Sequence, residues 1–259
     1  MIRREHMSRT TRREGIIEYI RNSKKASCEE LSKLFNVTEE TIRKDLASLA
    51  ESGQIIRTFG GAELRDAGAE ISMDQRRIQN FTLKQKIARE ARKYIDDGDL
   101  LLMDAGSTIV VLAKILDDVK DIVVITNSLE TTNVLSENRG VSVFCTGGIL
   151  RSKSMSFQGA HAEQAIKSYN VNKAFITCAA LDVNRGIMDT NEGEVRIKNC
   201  MIEEAKTIYL LADSTKMNGI AYVTTCRLDK IDVIITDDGI KNEDKEALEA
   251  SGVKVIVAK

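Results

Sequence analysis

Small polar and charged residues directly follow short apolar runs at several places in the second part of the chain. Residues 104–108 (DAGST) follow one such run, residues 126–128 (TNS) follow the next, and a Gly-Gly pair at 147–148 follows the third. Free amides at a helix start, hydroxyls and a glycine that permits close approach are groups that bind phosphate. Carboxylates, amides and lysine beside them suit the hydroxyls of a polyol. This pattern predicts a site for a polyol that carries a phosphate.

Each of these short motifs also has an ordinary structural explanation. Gly-Ser-Thr and Thr-Asn-Ser are common at helix caps. Asp182 could hold a turn with Asn184 and Gly186, and Lys216 could be a solvated surface lysine. The recurrence of such groups at the same end of successive strands favours a shared site.

Apolar runs and helical patterns alternate from residue 100 onward. The runs expected to be strands are Leu100–Met103, Ile122–Ile125, Val141–Cys145, Ala174–Ala179, Ile208–Leu211, Ile231–Ile235 and Val253–Val257. The expected helices are Thr108–Leu116, Leu129–Ser136, Ala162–Ser168, Glu194–Ala205 and Asn242–Ala250. Buried strands that alternate with helices predict an α/β domain with a mostly parallel sheet. Ligands bind beyond the carboxyl ends of such strands, where the polar residues above lie.

Residues 27–62 have a different pattern, of two short helices joined by a tight turn and followed by a hairpin. Ser27 and Glu30 have the spacing of a capping box. Asn36 tolerates the left-handed backbone of a tight turn, and Thr38 can cap the second helix. A Gly at position 53 stands where the C-terminal cap belongs. These signals predict a helix-turn-helix.

The second of these helices has a basic face. If Ile42 points inward, Arg43 and Lys44 are rotated about 100° and 200° away from it. The exposed N-terminal end of such a helix enters the major groove of DNA. Residues 54–58, with the glycines at 60 and 61, would form a wing whose Arg57 touches the backbone. In the first of the two helices, Leu31, Leu34 and Phe35 are spaced by three and four residues and are expected to form one apolar stripe.

This stretch resembles the winged helix-turn-helix of the DeoR family of bacterial transcription regulators, notably in TIRKDL at 41–46 and GGA at 60–62. The resemblance implies a DNA-binding domain over residues 8–63. The residues expected to contact DNA are Ser27, Thr38, Glu40, Thr41, Arg43, Lys44 and Arg57.

The larger domain, expected over residues 83–259 after a linker at 64–82, resembles the effector-sensing domain of the same family. That domain has a fold akin to ribose-5-phosphate isomerase. The resemblance implies phosphate binding by Gly106, Ser107 and Thr108, and sugar contacts by Asp104, Asn127, Asp182 and Lys216. The full set of expected effector-binding residues is Asp104, Gly106, Ser107, Thr108, Thr126, Asn127, Ser128, Gly147, Gly148, Arg151, Asp182, Glu194, Lys198 and Lys216.

One departure concerns the shape of that site. Around residues 178–182 (CAALD) many relatives have glycines, whereas this chain has side chains. The departure affects the expected shape of the pocket near Asp182, and with it the identity of the sugar.

Charge and composition agree with a DNA-binding head on an acidic body. Residues 1–62 contain 12 Lys and Arg against 9 Asp and Glu, about +3, and the remainder contains 26 against 30, about −4. The five cysteines are widely spaced with no C-x-x-C pair, which favours buried free thiols in a reducing cytosol over a zinc site. No run reaches the roughly 18 apolar residues of a membrane span, and the N-terminus has no secretory signal pattern.

We therefore expect a cytoplasmic transcription regulator, a repressor of sugar metabolism, that binds double-stranded operator DNA as a homodimer or homotetramer and responds to a phosphorylated sugar. No metal or other cofactor is expected. One alternative is a sugar-phosphate isomerase with an accessory head, in which Asp104, Asp182, Glu194 and Lys216 would shuttle protons. No local signature assigns a carboxylate to take a carbon-bound proton. A second alternative is a structural DNA-binding protein whose pocket takes no ligand.

Overall fold

The computed structural model describes residues 9–51, 55–64 and 71–259, which divide into two compact units between positions 66 and 67. The first unit contains, in order, α1 (Arg9–Ser23), β1 (Lys25–Ser27), α2 (Cys28–Phe35), α3 (Glu39–Glu51), β2 (Ile55–Thr58) and β3 (Gly61–Leu64). The three strands form an antiparallel sheet in the order β1-β3-β2. This is the helix-turn-helix and wing that the sequence predicts.

Local signals in the first unit act as expected. Ser27 and Glu30 form a capping box at the start of α2, and Asn36 ends that helix in the left-handed conformation, with φ of 51°. The expected cap at Gly53 lies outside the described residues. Leu34 is wrongly placed on the apolar stripe, because its side chain is 54% exposed. It is rotated about 100° from Phe35, which does pack on the core.

The second unit begins with two helices and continues as alternating strands and helices. Its elements are α4 (Met73–Ile78), α5 (Phe81–Arg92), β4 (Leu100–Met103), α6 (Ser107–Ala113), β5 (Ile122–Thr126), α7 (Leu129–Leu135), β6 (Val141–Cys145), β7 (Ile149–Arg151), β8 (Ser156–Gln158), α8 (Ala160–Lys167), β9 (Val171–Ile176), β10 (Ala180–Asp182), β11 (Gly186–Asp189), α9 (Glu192–Glu204), β12 (Ala205–Leu211), β13 (Val223–Cys226), β14 (Val233–Asp237), α10 (Asn242–Ala250) and β15 (Lys254–Ala258).

A seven-stranded sheet in the order β15-β14-β12-β9-β4-β5-β6 is the centre of this unit, and all of its neighbouring strands are parallel. Both faces of the inner strands are buried. The edge strand β6 is instead largely exposed, so the expectations of a buried strand and of a buried thiol at Cys145 are wrong there. In β4, Leu101 and Met103 pack into one core and Leu102 into the other. The seven predicted strands correspond to these seven, with ends that differ by up to three residues.

Shorter strands were not predicted. They form an antiparallel sheet in the order β10-β11-β13 and a separate hairpin of β7 and β8. Strands of three or four residues are too short for alternation to stand out from the surrounding turns.

The linker expected at 64–82 is wrong in its second half. Ser72 and Gln75 form a capping box that starts α4, and Met73 is buried. The Met73 amide donates to the Lys153 carbonyl oxygen at 2.9 Å, which ties the segment to the second unit. A helix of six residues is too short to show a period. Residues 65–70 lie outside the description.

Within the described part of the chain, no helix is long and apolar enough to cross a membrane.

Candidate functional site

The two cations expected to contact DNA lie on the exposed face of α3. The side chains of Arg43 and Lys44 are 52% and 72% exposed. Arg43 Nη2 lies 2.8 Å from Glu39 Oε2, and Lys44 Nζ lies 3.6 Å from Glu40 Oε1, one turn earlier on the helix. Exposed pairs of this kind are weak. Phosphate groups can therefore replace the two glutamates as partners of these cations.

The other residues expected to contact DNA lie at helix starts and on the wing. Ser27 caps α2: its hydroxyl accepts from the Glu30 amide at 3.1 Å. Thr38 Oγ1 accepts from the Thr41 amide at 3.3 Å and lies 2.9 Å from Thr41 Oγ1. Arg57 is exposed on β2. The structure thus collects cations, hydroxyls and two helix N-termini on the first unit.

Asp45 fixes α1 against α3, a role that is absent from the expectations above. Its side chain is 1% exposed and accepts from Arg12 Nε at 2.7 Å and Arg13 Nε at 2.9 Å. Burial opposes its ionisation, but the two guanidinium groups hold the pKa of Asp45 below its usual value. A signal was available: Asp45 lies directly before the buried Leu46 and three residues after the buried Ile42.

A small crevice, open to solvent, lies at the carboxyl ends of β4, β9 and β12 in the second unit. Of the expected effector residues, Gly106, Ser107, Thr108 and Lys216 line it. The full lining is Arg76, Gln79, Asn80, Lys84, Gly106, Ser107, Thr108, Thr177, Cys178, Leu211, Asp213 and Lys216. The place agrees with the rule that ligands bind beyond the carboxyl ends of parallel strands.

The helix starts after β4 and β5 have similar sequences but different roles. Ser128 caps α7, because its hydroxyl accepts from the Thr131 amide at 3.0 Å. Thr126 Oγ1 donates to the Met103 carbonyl at 2.6 Å, and Asn127 Nδ2 donates to the Phe157 carbonyl at 3.3 Å. These groups are structural caps and braces outside the crevice. At α6 no side chain caps the helix, and Gly106, Ser107 and Thr108 at its start line the crevice.

Two cations in the crevice were missed by the sequence analysis. Arg76 of α4 has Nε and Nη2 buried without a hydrogen-bond partner. Lys84 of α5 is 5% exposed; its Nζ donates to the Gln79 carbonyl at 2.5 Å and to the Arg76 carbonyl. Burial lowers the pKa of Lys84 to about 8, while the Asp213 carboxylate opposes that shift. Arg76 and Lys84 are eight residues apart, a spacing that is also typical of charged residues on a solvated helix face. No sequence signal therefore identified them as residues of a binding site.

A buried ionic cluster lies beside the crevice. Lys198 Nζ lies 2.8 Å from Asp189 Oδ2 and 3.5 Å from Asp104 Oδ2. Asp104 also accepts from the amide and hydroxyl of Thr177, at 3.1 and 2.8 Å, and Thr177 lines the crevice. Burial raises the pKa of Asp189. Burial also opposes the charge on Lys198, but the Asp104 and Asp189 carboxylates outweigh this effect and raise the pKa of Lys198. The cluster braces the crevice wall.

The remaining expected residues do not line the crevice in the described structure. Gly147 and Gly148 form a turn with φ of 63° and 108°. Arg151 Nη1 lies 3.8 Å from the buried Glu194 Oε1. Asp182 accepts two backbone amides of the following turn, at 3.0 and 2.9 Å, which is the structural role considered for it above.

Comparison with known proteins assigns both units to families. A model described as the DeoR-like helix-turn-helix domain matches residues 12–67, and one described as the DeoR C terminal sensor domain matches residues 79–238. The chain is 39% identical over 245 residues to the uncharacterized HTH-type transcriptional regulator YulB of Bacillus subtilis, covering 94% of this chain and 95% of the relative. It is 34% identical to a putative aga operon transcriptional repressor of Escherichia coli O157:H7, covering 95% and 93%.

A weaker likeness relates part of the chain to a solved enzyme structure. Ribose 5-phosphate isomerase A from Methanocaldococcus jannaschii aligns over 53% of this chain and 55% of the enzyme, with 18% identity and a TM-score of 0.39. This likeness carries no argument about activity.

A helix-turn-helix head and a sensor domain define a DNA-binding transcriptional regulator rather than an enzyme. The chain belongs to the DeoR family of transcriptional regulators, since both of its domains match that family's models. The family resemblance noted in the sequence is confirmed, and the isomerase alternative is not supported.

Proposed function

We propose that this regulator is a repressor of sugar metabolism whose DNA affinity falls when a phosphorylated sugar occupies the crevice. Arg76 carries the proposal: it lines the crevice, and two of its guanidinium nitrogens are buried without a hydrogen-bond partner. A buried donor without a partner is costly, and a bidentate phosphate satisfies a guanidinium well.

The crevice offers different chemistry to the two ends of such a ligand. Arg76, Lys84 and Lys216 supply positive charge near the uncapped start of α6, where Ser107 and Thr108 add hydroxyls. The buried carboxylate of Asp213 can accept from sugar hydroxyls. Phosphate at the cationic end and the polyol beside Asp213 is the assignment we propose.

The position of Arg76 and Lys84 in the chain suggests how a ligand acts on DNA binding. Both residues follow closely on the segment that joins the two units, and Asn80 between them donates to Thr215 Oγ1 at 3.1 Å. A ligand held by Arg76 and Lys84 changes the free energy of this part of the chain relative to the unliganded form. By linkage, a ligand that favours the arrangement with weak DNA affinity must itself bind less tightly to the DNA complex.

The proposal includes an oligomer and a cellular location. One recognition helix reads few base pairs, so a two-fold pair of chains on a repeated operator is expected. The protein would act in the cytoplasm, with no cofactor besides the effector. No group of His, Cys, Asp or Glu suited to hold a metal occurs among the described residues.

A thermal-shift panel of phosphorylated sugars, followed by gel shift with the best member, tests the proposal. A ligand at about 100 times its dissociation constant adds roughly 2.7 kcal/mol of stability. Arg76→Ala should abolish that shift without lowering the stability of the free protein. Arg77→Ala is the matched control, because Arg77 pairs with Glu130 instead of lining the crevice.

Three outcomes would contradict the proposal. No shift with any phosphorylated sugar would favour a DNA-binding protein without an effector. An equal loss in Arg76→Ala and Arg77→Ala would place the ligand elsewhere. A ligand that binds the crevice but leaves the gel shift unchanged would refute its regulatory role.

A further inference from the structure

The tip of the wing displays a phenylalanine that the fold does not use. Phe59 lies in the two-residue turn between β2 and β3, where Thr58 pairs with Gly61. Its relative exposure is 111%, so the ring is as open to water as in an extended peptide. The core of the first unit is built from other residues. The stability of the head therefore does not account for a phenylalanine at this position.

The backbone on either side of Phe59 is held firmly. Gly60 has φ of 87°, and its carbonyl oxygen accepts from the Cys28 amide at 2.7 Å, in the first turn of α2. A Cβ on Gly61 would lie 2.1 Å from the Ala26 carbonyl oxygen. The two glycines thus clamp the tip of the wing against the start of α2, and the Phe59 ring is presented from a fixed base.

The neighbours of this ring are the groups expected to face DNA. Arg57 is exposed two residues earlier on the same hairpin, and Cys28 directly follows Ser27 at the N-terminus of α2. In helix-turn-helix proteins the first helix crosses the DNA backbone while the second enters the major groove. A wing tip fastened to the start of α2 consequently lies at the backbone, within reach of the next groove.

An apolar ring at that place has one favourable partner in a duplex. Phosphates and sugar edges are polar, whereas the faces of the bases are apolar and accept aromatic stacking. Apolar side chains reach those faces from the minor groove, where they enter between base pairs and kink the helix by about 20–90°.

We infer that Phe59 enters the minor groove of bound DNA, inserts partly between two base pairs and kinks the operator. The inference rests on the DNA-binding function. It adds a contact through which the protein selects DNA sequences by how easily they deform. Steps that unstack easily, such as TA and CA, would then be favoured at the position of the wing even though no base edge is read there.

The test uses the full chain and a duplex selected from a random-sequence library with the wild-type protein. Circularly permuted fragments measure the bend by gel mobility, and 2-aminopurine beside the kinked step reports unstacking by increased fluorescence. Phe59→Ala should lose most of the bend and the fluorescence change, and weaken binding by about 5- to 150-fold for each wing in contact. Its thermal midpoint and its salt slope should equal those of wild type, because neither a core contact nor a phosphate contact is removed.

Two further variants serve as controls. Phe59→Leu keeps an apolar wedge and should retain much of the bend. Tyr222→Ala removes another exposed aromatic ring, 67% exposed and in the other unit, and should change nothing.

Several results would overturn the inference. A bend in Phe59→Ala equal to that of wild type, or no 2-aminopurine response with wild type, would exclude insertion. A flatter salt slope in Phe59→Ala would indicate an effect on phosphate contacts instead. If the library yields no bound duplex, DNA binding itself fails; a selected duplex that wild type leaves straight overturns the inference alone.

Discussion

Raising the pH from 7 to 9 should weaken binding of a sugar phosphate by about tenfold, because Lys84 loses its proton over this range. Lys84 is 5% exposed and lines the crevice, and burial lowers its pKa to about 8. The nearby cations Lys216 and Arg76 add to this shift, while Asp213 opposes it. A phosphate dianion within reach would favour the ammonium form, so the bound protein holds the proton to higher pH than the free protein.

The sign and size follow from that difference. With a pKa of about 8, about nine-tenths of the free protein carries the Lys84 proton at pH 7 and about one-tenth carries it at pH 9. Affinity is therefore nearly full at pH 7 and below, and falls as the pH rises through the Lys84 pKa of about 8. Ionisation of the ligand does not contribute to this pH dependence, since the second pKa of a phosphate group is about 6 and the dianion predominates from pH 7 to 9.

Titration calorimetry in buffers of different ionisation enthalpy measures the proton uptake directly. Binding should take up about 0.5 proton at pH 8, rising to about 0.9 at pH 9. The crevice thiol of Cys178 does not interfere, because burial raises its pKa to about 12. Lys84→Met should bind more weakly at pH 7 and take up no proton at either pH.

Two results would refute this reasoning. If wild-type affinity is constant from pH 7 to 9, Lys84 is not in contact with the anion. If Lys84→Met keeps the same proton uptake as wild type, another group titrates.

Three further outcomes are expected. Arg43→Ala and Lys44→Ala should each weaken DNA binding: loss of a phosphate contact flattens the salt slope by about one unit for every sequence, whereas loss of a base contact costs roughly 1–3 kcal/mol and relaxes specificity at one position. Asp45→Asn should lower the free energy of unfolding by about 3 kcal/mol in urea titrations. That wild-type advantage should vanish as the pH falls from about 4 toward the lowered Asp45 pKa; an equal difference at every acidic pH would refute the ion-pair explanation. Gly106→Ala should abolish effector binding in thermal shift but keep DNA binding, since its Cβ would lie 2.4 Å from Thr177 Oγ1; unchanged effector affinity would show that the start of α6 is not the phosphate site.

The resemblance of two helix starts illustrates how far local sequence reaches. Ser107 and Ser128 both begin helices after strands, and from the sequence both were candidates for phosphate binding or capping. In the structure Ser128 caps α7, while α6 has no side-chain cap and opens into the crevice. The missing cap has a local cause, because the N-cap residue of α6 is Gly106, which has no side chain. The groups that surround this helix start, such as Arg76 and Thr177, come from distant parts of the chain.

By itself the sequence determined the features that depend on neighbouring residues. The capping box at Ser27, the left-handed Asn36 and the seven strands of the parallel sheet follow from spacings of a few residues. The helix-turn-helix and the α/β architecture follow from them. Only the tertiary structure decided which groups form the crevice, because Arg76, Gly106 and Lys216 meet there across 140 residues of chain. The tertiary structure also made the second half of the expected linker part of the site, since the short α4 is held by contacts with the rest of the second unit rather than by its own period. Burial creates the perturbed Lys84 and the unpartnered Arg76, and burial is a property of the folded chain alone.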